Sequence, residues 1–158
     1  MFSIIMEYID NADVLDLFAG TGNLGIEALS RGAKSAVFID KSENCTTLIN
    51  DNLLHTKLYD KSTIIRGDAF STLQSFSKEG KKFNLIFLDP PYNKGLVQET
   101  LKLIDRNDIL RPEGIIVAER DIDDSLPAQI GSLELVSDRK YGDTVLSLFK
   151  VRGHTSLE

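Results

Sequence analysis

The stretch DVLDLFAGTGNLGIEALSRG, residues 13–32, begins as an apolar run, passes through a glycine-rich turn and continues with helical spacing. Gly20, Gly22 and Gly25 satisfy the G-x-G-x-x-G pattern, in which glycine lets the backbone turn tightly and approach a ligand closely. Gly32 is expected to close the helix. The stretch therefore predicts the first strand, turn and helix of an open α/β sheet. A glycine turn that only packs the helix is the alternative interpretation.

Strand and helix patterns alternate along the rest of the chain. Strict alternation predicts a doubly wound, Rossmann-like α/β fold whose sheet is mostly parallel. After Asp121 two further strands, joined by a turn near residues 141–143, predict an antiparallel carboxyl-terminal edge. The expected strands lie at 13–18, 35–40, within 62–70, at 83–89 and at 114–120, and the expected helices at 23–32, 42–57, 71–78 and 96–105.

Composition limits the possible classes of protein. The 158 residues, 42% hydrophobic and 27% charged, suit one domain over 1–152 with a tail at 153–158. No apolar stretch approaches the ~20 residues that cross a bilayer, so no membrane partner and a cytoplasmic location are expected. No cluster of Cys and His has metal-ligand spacing, so no metal is expected. The net charge of −6 argues against binding nucleic acid by charge alone.

Carboxylates follow three successive predicted strands, at the edge where open α/β sheets bind ligands. Asp40 lies twenty residues after Gly20, where a carboxylate can accept both ribose hydroxyls, as it would in an NAD enzyme. Asp16 precedes the glycines, where it would repel a diphosphate and attract the cationic amino-acid moiety of S-adenosylmethionine. Asp68 offers an acceptor for an adenine amino group, with Phe70 available to pack on the ring. A capping or core-edge role for Asp16 stays open.

The fourth predicted strand ends on the sequence DPPY, residues 89–92, at the same edge. An exocyclic amino group is a poor nucleophile, so catalysis needs acceptors that hold both N–H bonds and direct the lone pair at the methyl group. The Asp89 carboxylate and the Pro90 carbonyl can supply them, and Pro90 and Pro91 fix that carbonyl rigidly. Tyr92 can stack on a base. The motif predicts a clamp for an amino group, and the alternative is a turn with a surface tyrosine.

The stretches VLDLFAGTGNLGIEALSRGA, FIDKS, GDAF, LIFLDPPY and RKYGDTVLSLF together resemble the bacterial small-subunit ribosomal RNA guanine-N2 methyltransferases. The resemblance runs from about residue 1 to residue 151. It implies a class I methyltransferase fold, S-adenosylmethionine as cofactor, and a ribosomal RNA substrate within the assembled small subunit.

The resemblance also implies roles for individual residues. Asn50, on the second predicted long helix at 42–57, belongs to a family motif that follows the ribose carboxylate, and it is either structural or functional. Independently of the resemblance, Lys94, Arg111, Arg120, Arg139 and Lys140 could contact phosphates, although each is expected to be a solvated surface charge. Lys94, close to the clamp, is the best candidate for such a contact. The residues expected to contact the donor are Asp16, Gly20, Gly22, Asp40, Asp68 and Ala69, and those expected to hold the guanine amino group are Asp89, Pro90 and Tyr92.

One departure from the family concerns the first residues, which read as the last turns of an amphipathic helix. Family members carry a basic segment ahead of this helix, so we expect upstream sequence to be missing. Three alternatives to the guanine-N2 activity stay open, the last of them because of this missing segment. They are an adenine-N6 methyltransferase acting on DNA or RNA, an NAD-binding oxidoreductase or regulator, and a form that binds the donor but is inactive.

Overall fold

The computed structural model describes residues 1–91 and 95–153, which form an eight-stranded sheet flanked by helices. The helices are α1 (Phe2–Ile5), α2 (Asn23–Ser30), α3 (Glu43–Thr56), α4 (Ala69–Glu79) and α5 (Leu96–Arg106). The strands are β1 (Asp13–Leu17), β2 (Ser35–Asp40), β3 (Ser62–Arg66), β4 (Phe83–Leu88), β5 (Leu110–Asp121), β6 (Gln129–Ile130), β7 (Leu133–Tyr141) and β8 (Thr144–Val151).

The strand order is β3-β2-β1-β4-β5-β8-β7-β6. The first five strands in this order run parallel, and β8 is antiparallel to both β5 and β7. The predicted doubly wound, mostly parallel sheet with an antiparallel carboxyl-terminal edge is confirmed. From β1 the chain first continues to β2 and β3 on one side of β1, and it then crosses to β4 and β5 on the other side. The carboxyl ends of β1 and β4 therefore border the crevice in which such sheets bind ligands.

Some element boundaries differ from those expected. Helix α4 begins at Ala69 rather than residue 71, because the Asp68 side chain caps its first turn. Strand β5 begins at Leu110, before the expected 114, with an irregular register against β4. Strand β6 was not predicted, since two residues are too few for a period-2 pattern. Ser42 caps α3, because its hydroxyl oxygen accepts a hydrogen bond from the N–H of Cys45 at 3.3 Å.

Helices cover both faces of the sheet, and strand alternation decides which face each side chain joins. Leu15 and Ile116 belong to the core cluster that includes residues of α4 and α5, whereas Val14 and Val117 belong to the cluster that includes residues of α1, α2 and α3. Asp16 shares the parity of Val14, so it lies on the second face. In the described part of the chain, none of the helices has the length and apolar character needed to cross a bilayer.

Candidate active site

A cavity of about 840 Å³ lies at the carboxyl ends of β1 to β4; we refer to it as the larger cavity. It brings together nine of the residues singled out from the sequence. Gly22 belongs to the turn but does not line the cavity, and Tyr92 and Lys94 lie outside the described residues. The nine residues are Asp16, Gly20, Asp40, Asp68, Ala69, Phe70, Asp89, Pro90 and Pro91.

The glycine turn at the mouth of β1 uses its three glycines in two ways. Gly20 and Gly22 have φ of +60° and +82°, which side-chain-bearing residues rarely adopt. Gly25 has an ordinary backbone, but a Cβ there would come under 3.0 Å from ring carbons of Phe38. Gly25 therefore permits close packing of α2 on β2, whereas Gly20 and Gly22 provide the turn conformation. Of the three glycines, Gly20 lines the larger cavity.

The Asp16 carboxyl group is fully buried beneath this turn. Its Oδ2 accepts a hydrogen bond from the N–H of Gly25 at 3.0 Å, so it replaces the side-chain cap that α2 lacks at Gly22. Burial raises the pKa of Asp16 to about 8, opposed by the Gly25 N–H and reinforced by the charges of Asp89 and Asp40. Asp16 therefore carries a proton at neutral pH, and a cation in the cavity would favour its ionised form. Asp16 therefore has the capping role that the sequence left open, and it also lines the larger cavity.

Asp40 and Asp68 also hold the backbone around the larger cavity. The oxygens of Asp40 accept hydrogen bonds from the N–H groups of Gly20 and Ser42, both at 2.9 Å. One oxygen of Asp68 accepts from the N–H and the hydroxyl of Ser71, both at 3.0 Å. An ionised carboxylate has about four lone-pair sites, so each group keeps acceptor capacity for a ligand.

Two residues that sequence reasoning missed shape the same cavity. Phe18, directly after β1, lines it with φ of +59°, a conformation rare for a bulky residue and often found at functional sites. Asn52 donates from Nδ2 to the carbonyl of Thr21 at 3.0 Å and so fastens the glycine turn to α3. Phe18 could have been identified from its position at the end of the first predicted strand. Nothing in the sequence distinguishes Asn52 from Asn50.

Asn50 lies elsewhere. It lines a separate depression of about 580 Å³ between α3 and β3, together with Thr46, Tyr59 and Arg66 among others. It is absent from the lining of the larger cavity. The arrangement favours a structural rather than a functional interpretation of Asn50.

A second cavity, of about 180 Å³, adjoins the first; we refer to it as the smaller cavity. Asp89, Pro90 and Pro91 line both and form a shared wall. Partial burial raises the pKa of Asp89 to about 6, and the charge of Glu119 contributes to the rise. The remaining residues around the smaller cavity are Val97, Glu119, Arg120, Asp121, Asp123, Asp124 and Thr144.

Arg120 is not the solvated charge expected from the sequence. Its side chain is only 10% exposed and donates to the hydroxyl of Ser147 at 3.0 Å and to the carboxylate of Asp138 at 3.4 Å. Ser147 in turn donates to Asp138 at 2.6 Å. This network ties β5 to β8 and β7 and neutralises the cation. Arg111 pairs with Asp13 at 3.2 Å, so it too departs from a freely solvated charge.

Over residues 1–91 and 95–153, no group of three or more His, Cys, Asp or Glu side chains is arranged to hold a metal ion.

The family model described as "Conserved hypothetical protein 95" matches residues 1–150. The chain belongs to this family. YlbH of Bacillus subtilis (strain 168), described as a candidate rRNA methyltransferase, is 39% identical over 153 residues, which is 97% of this chain and 83% of that relative. Ribosomal RNA small subunit methyltransferase D of Escherichia coli (strain K12) is 31% identical over 150 residues, covering 95% of this chain and 74% of the relative.

Solved structures agree with this assignment. An Escherichia coli structure described as a candidate methyltransferase, yhhF, superposes with a TM-score of 0.85 at 31% identity, over 95% of this chain and 82% of that one. The predicted resemblance to small-subunit ribosomal RNA methyltransferases is therefore confirmed, and so is the Rossmann-like methyltransferase fold. The names of the relatives do not specify the base or the atom that is modified.

Proposed function

We propose that this family member transfers a methyl group from S-adenosylmethionine to the N2 amino group of a guanine in small-subunit ribosomal RNA. The observation that carries the proposal is the wall of Asp89, Pro90 and Pro91 that the two cavities share. A donor in the larger cavity and a base in the smaller one would meet at this wall. The names of the relatives support ribosomal RNA of the small subunit as the substrate class.

The residues of the larger cavity fit S-adenosylmethionine better than a dinucleotide. When bound, this donor supplies a methyl group on a positively charged sulfur. Asp16, Asp40 and Asp68 would meet its ammonium group, ribose hydroxyls and adenine amino group, whereas the carboxylates of Asp40 and Asp68 would repel a diphosphate. Lys41 is the one cation among the described residues that line this cavity. A volume of about 840 Å³ also suits a nucleoside-sized ligand.

The shared wall supplies the acceptors that an amino group needs. The Asp89 carboxylate and the Pro90 carbonyl would accept the two N–H bonds of the amino group and direct its lone pair towards the donor. As the new N–C bond forms, one amino proton must leave. Asp89, with its pKa raised to about 6, is mostly ionised at neutral pH and can accept that proton. Stacking on Tyr92 and a phosphate contact by Lys94 remain predictions.

The charge of the protein bears on how it would meet its RNA. A net charge of −6 gives little unspecific attraction to phosphates, which supports recognition of a shaped surface of the assembled subunit over naked RNA. Exposed Arg139 and Lys140, just before the β7–β8 turn, are available for phosphate contacts. A ribosomal substrate also agrees with the cytoplasmic location predicted from the sequence.

The proposal is tested by incubating the protein with labelled S-adenosylmethionine and small ribosomal subunits that lack their methylations. Digested nucleosides are then identified by mass spectrometry. We expect N2-methylguanosine. Methylated adenine would keep the amino-group clamp but overturn the choice of base. Titrations with S-adenosylhomocysteine and with NADH separate the remaining alternatives, since binding of NADH alone would overturn the choice of donor. Binding of S-adenosylhomocysteine without any transfer would contradict the proposed activity.

A further inference from the structure

Asp89 and Glu119 stand side by side at the end of the sheet. Phe87 pairs with Val117, and Leu88 with Ala118, in the parallel register of β4 and β5. The residues that come next, Asp89 directly after β4 and Glu119 within β5, both line the smaller cavity. The two carboxylates are close enough for the charge of Glu119 to contribute to the raised pKa of Asp89.

The two carboxylates differ in what they touch. Asp89 lines both cavities, whereas Glu119 lines only the smaller one. Within residues 1–91 and 95–153, the Glu119 side chain makes no hydrogen bond or ion pair, although it is partly buried. Its neighbour Arg120 also lines the smaller cavity, but its guanidinium is already bound to Ser147 and Asp138. A partly buried acceptor that lacks a protein partner is available to a ligand.

The smaller cavity has the size of a ring. Its volume is about 180 Å³, and a protein cavity of about 150 Å³ holds a benzene molecule. Asp89, Glu119 and three further carboxylates line it, beside the paired cation Arg120. A ring that presents adjacent N–H donors would therefore suit Asp89 and Glu119 better than one that presents an acceptor to them.

We propose that Glu119 selects guanine by accepting the N1–H of the base while Asp89 and Pro90 hold its N2 amino group. This inference rests on the proposed function. Guanine presents N1–H and N2–H₂ side by side on its Watson–Crick edge, which matches two adjacent carboxylates. Adenine and cytosine flank their amino groups with a ring nitrogen that carries a lone pair. That lone pair would face the Glu119 carboxylate, so both bases are rejected.

The test replaces the modified guanine, once identified in the wild-type product, by 2-aminopurine. This base keeps the 2-amino group, but its N1 is an acceptor. Wild-type protein should methylate guanine at least about tenfold faster than 2-aminopurine. Glu119→Gln should shrink that ratio about tenfold, because the amide of glutamine can donate to N1. Glu113→Gln, the same change at an exposed position near the start of β5, should leave the ratio unchanged.

The outcomes separate this inference from the proposed function. If wild-type protein makes no N2-methylguanosine, the proposed function fails. If it does and Glu119→Gln leaves the ratio of guanine to 2-aminopurine unchanged, the role of Glu119 is wrong. Binding of S-adenosylhomocysteine and the melting temperature of Glu119→Gln report on the larger cavity and the fold. Should the variant not fold, equal rates of the wild-type protein on the two bases would still overturn the inference.

Discussion

The two cavities that meet at Asp89 are built in different ways. In the larger cavity Asp16, Asp40 and Asp68 each accept a hydrogen bond from the backbone of the loop or helix that follows their own strand. The partners are nine, two and three residues away. In the smaller cavity Glu119 comes from another strand than Asp89 and makes no side-chain hydrogen bond within the described chain.

This difference separates positioning from selection. Carboxylates already bound to backbone N–H groups have a fixed orientation before any ligand arrives, which lowers the entropic cost of binding. Glu119 holds no backbone N–H group in place, so its capacity to accept hydrogen bonds is left for the base. The larger cavity thus suits a constant ligand, and the smaller one a ligand that must be distinguished from close relatives.

The largest expected effect comes from removing the Asp89 carboxylate from the wall that the two cavities share. Asp89→Ala should lower methyl transfer at least about 100-fold, because one acceptor of the amino group is lost. Binding of S-adenosylhomocysteine should weaken by less than about tenfold, since the other carboxylates of the larger cavity remain. Single-turnover transfer and calorimetry measure the two quantities. Asp51→Ala, at an exposed position on α3, is the control. Near-normal transfer by folded Asp89→Ala would refute the clamp.

The next largest effect tests the packing beneath the larger cavity. Gly25→Ala should lower the free energy of unfolding by about 2–3 kcal/mol, because its Cβ would overlap the buried ring of Phe38. Gly80→Ala is the matched control. At Gly80 φ is +69° and a Cβ would meet nothing within 4 Å, so only backbone strain of about 1 kcal/mol is expected. Chemical denaturation compares them, and equal losses would mean that contact with Phe38 does not matter.

The contrast also explains how much could be predicted from the sequence. Asp16, Asp40 and Asp68 follow strands that periodicity identifies, and the rule that ligands bind at strand ends brings them together. Glu119 was not identified, because its position beside Asp89 depends on the register of β4 and β5. That register contains an irregularity between Phe83 and Leu85, which no local pattern reveals.

Arg120 escaped prediction for a related reason. Its partners Asp138 and Ser147 come from β7 and β8, which the sequence identifies as strands without giving their alignment to β5. A cation on an isolated strand reads as a surface charge, and only the three-strand register reveals its network. Short-range features of the fold were therefore predictable, whereas pairings between distant strands were not.

A pH profile examines the coupling across the shared wall. Asp89 can take the amino proton only when ionised, and its pKa is raised to about 6. With donor at saturation, kcat/KM for the RNA should therefore be constant well above pH 6 and fall below it. At pH 5 the loss should be about tenfold. Glu119→Gln removes one cause of the raised pKa and should shift the fall to lower pH, whereas Glu113→Gln should not. A flat profile from pH 5 to 8 would exclude ionised Asp89 as the acceptor.

The smallest effect distinguishes two asparagines on one helix. Asn52 fastens the glycine turn through the carbonyl of Thr21, whereas Asn50 lines a separate depression. Asn52→Ala should weaken binding of S-adenosylhomocysteine about two- to fivefold, the worth of one exposed hydrogen bond that orders the loop. Asn50→Ala should leave affinity unchanged. Calorimetry on both variants decides, and an equal or larger loss with Asn50→Ala would mean that α3 influences the larger cavity by a route other than the glycine turn.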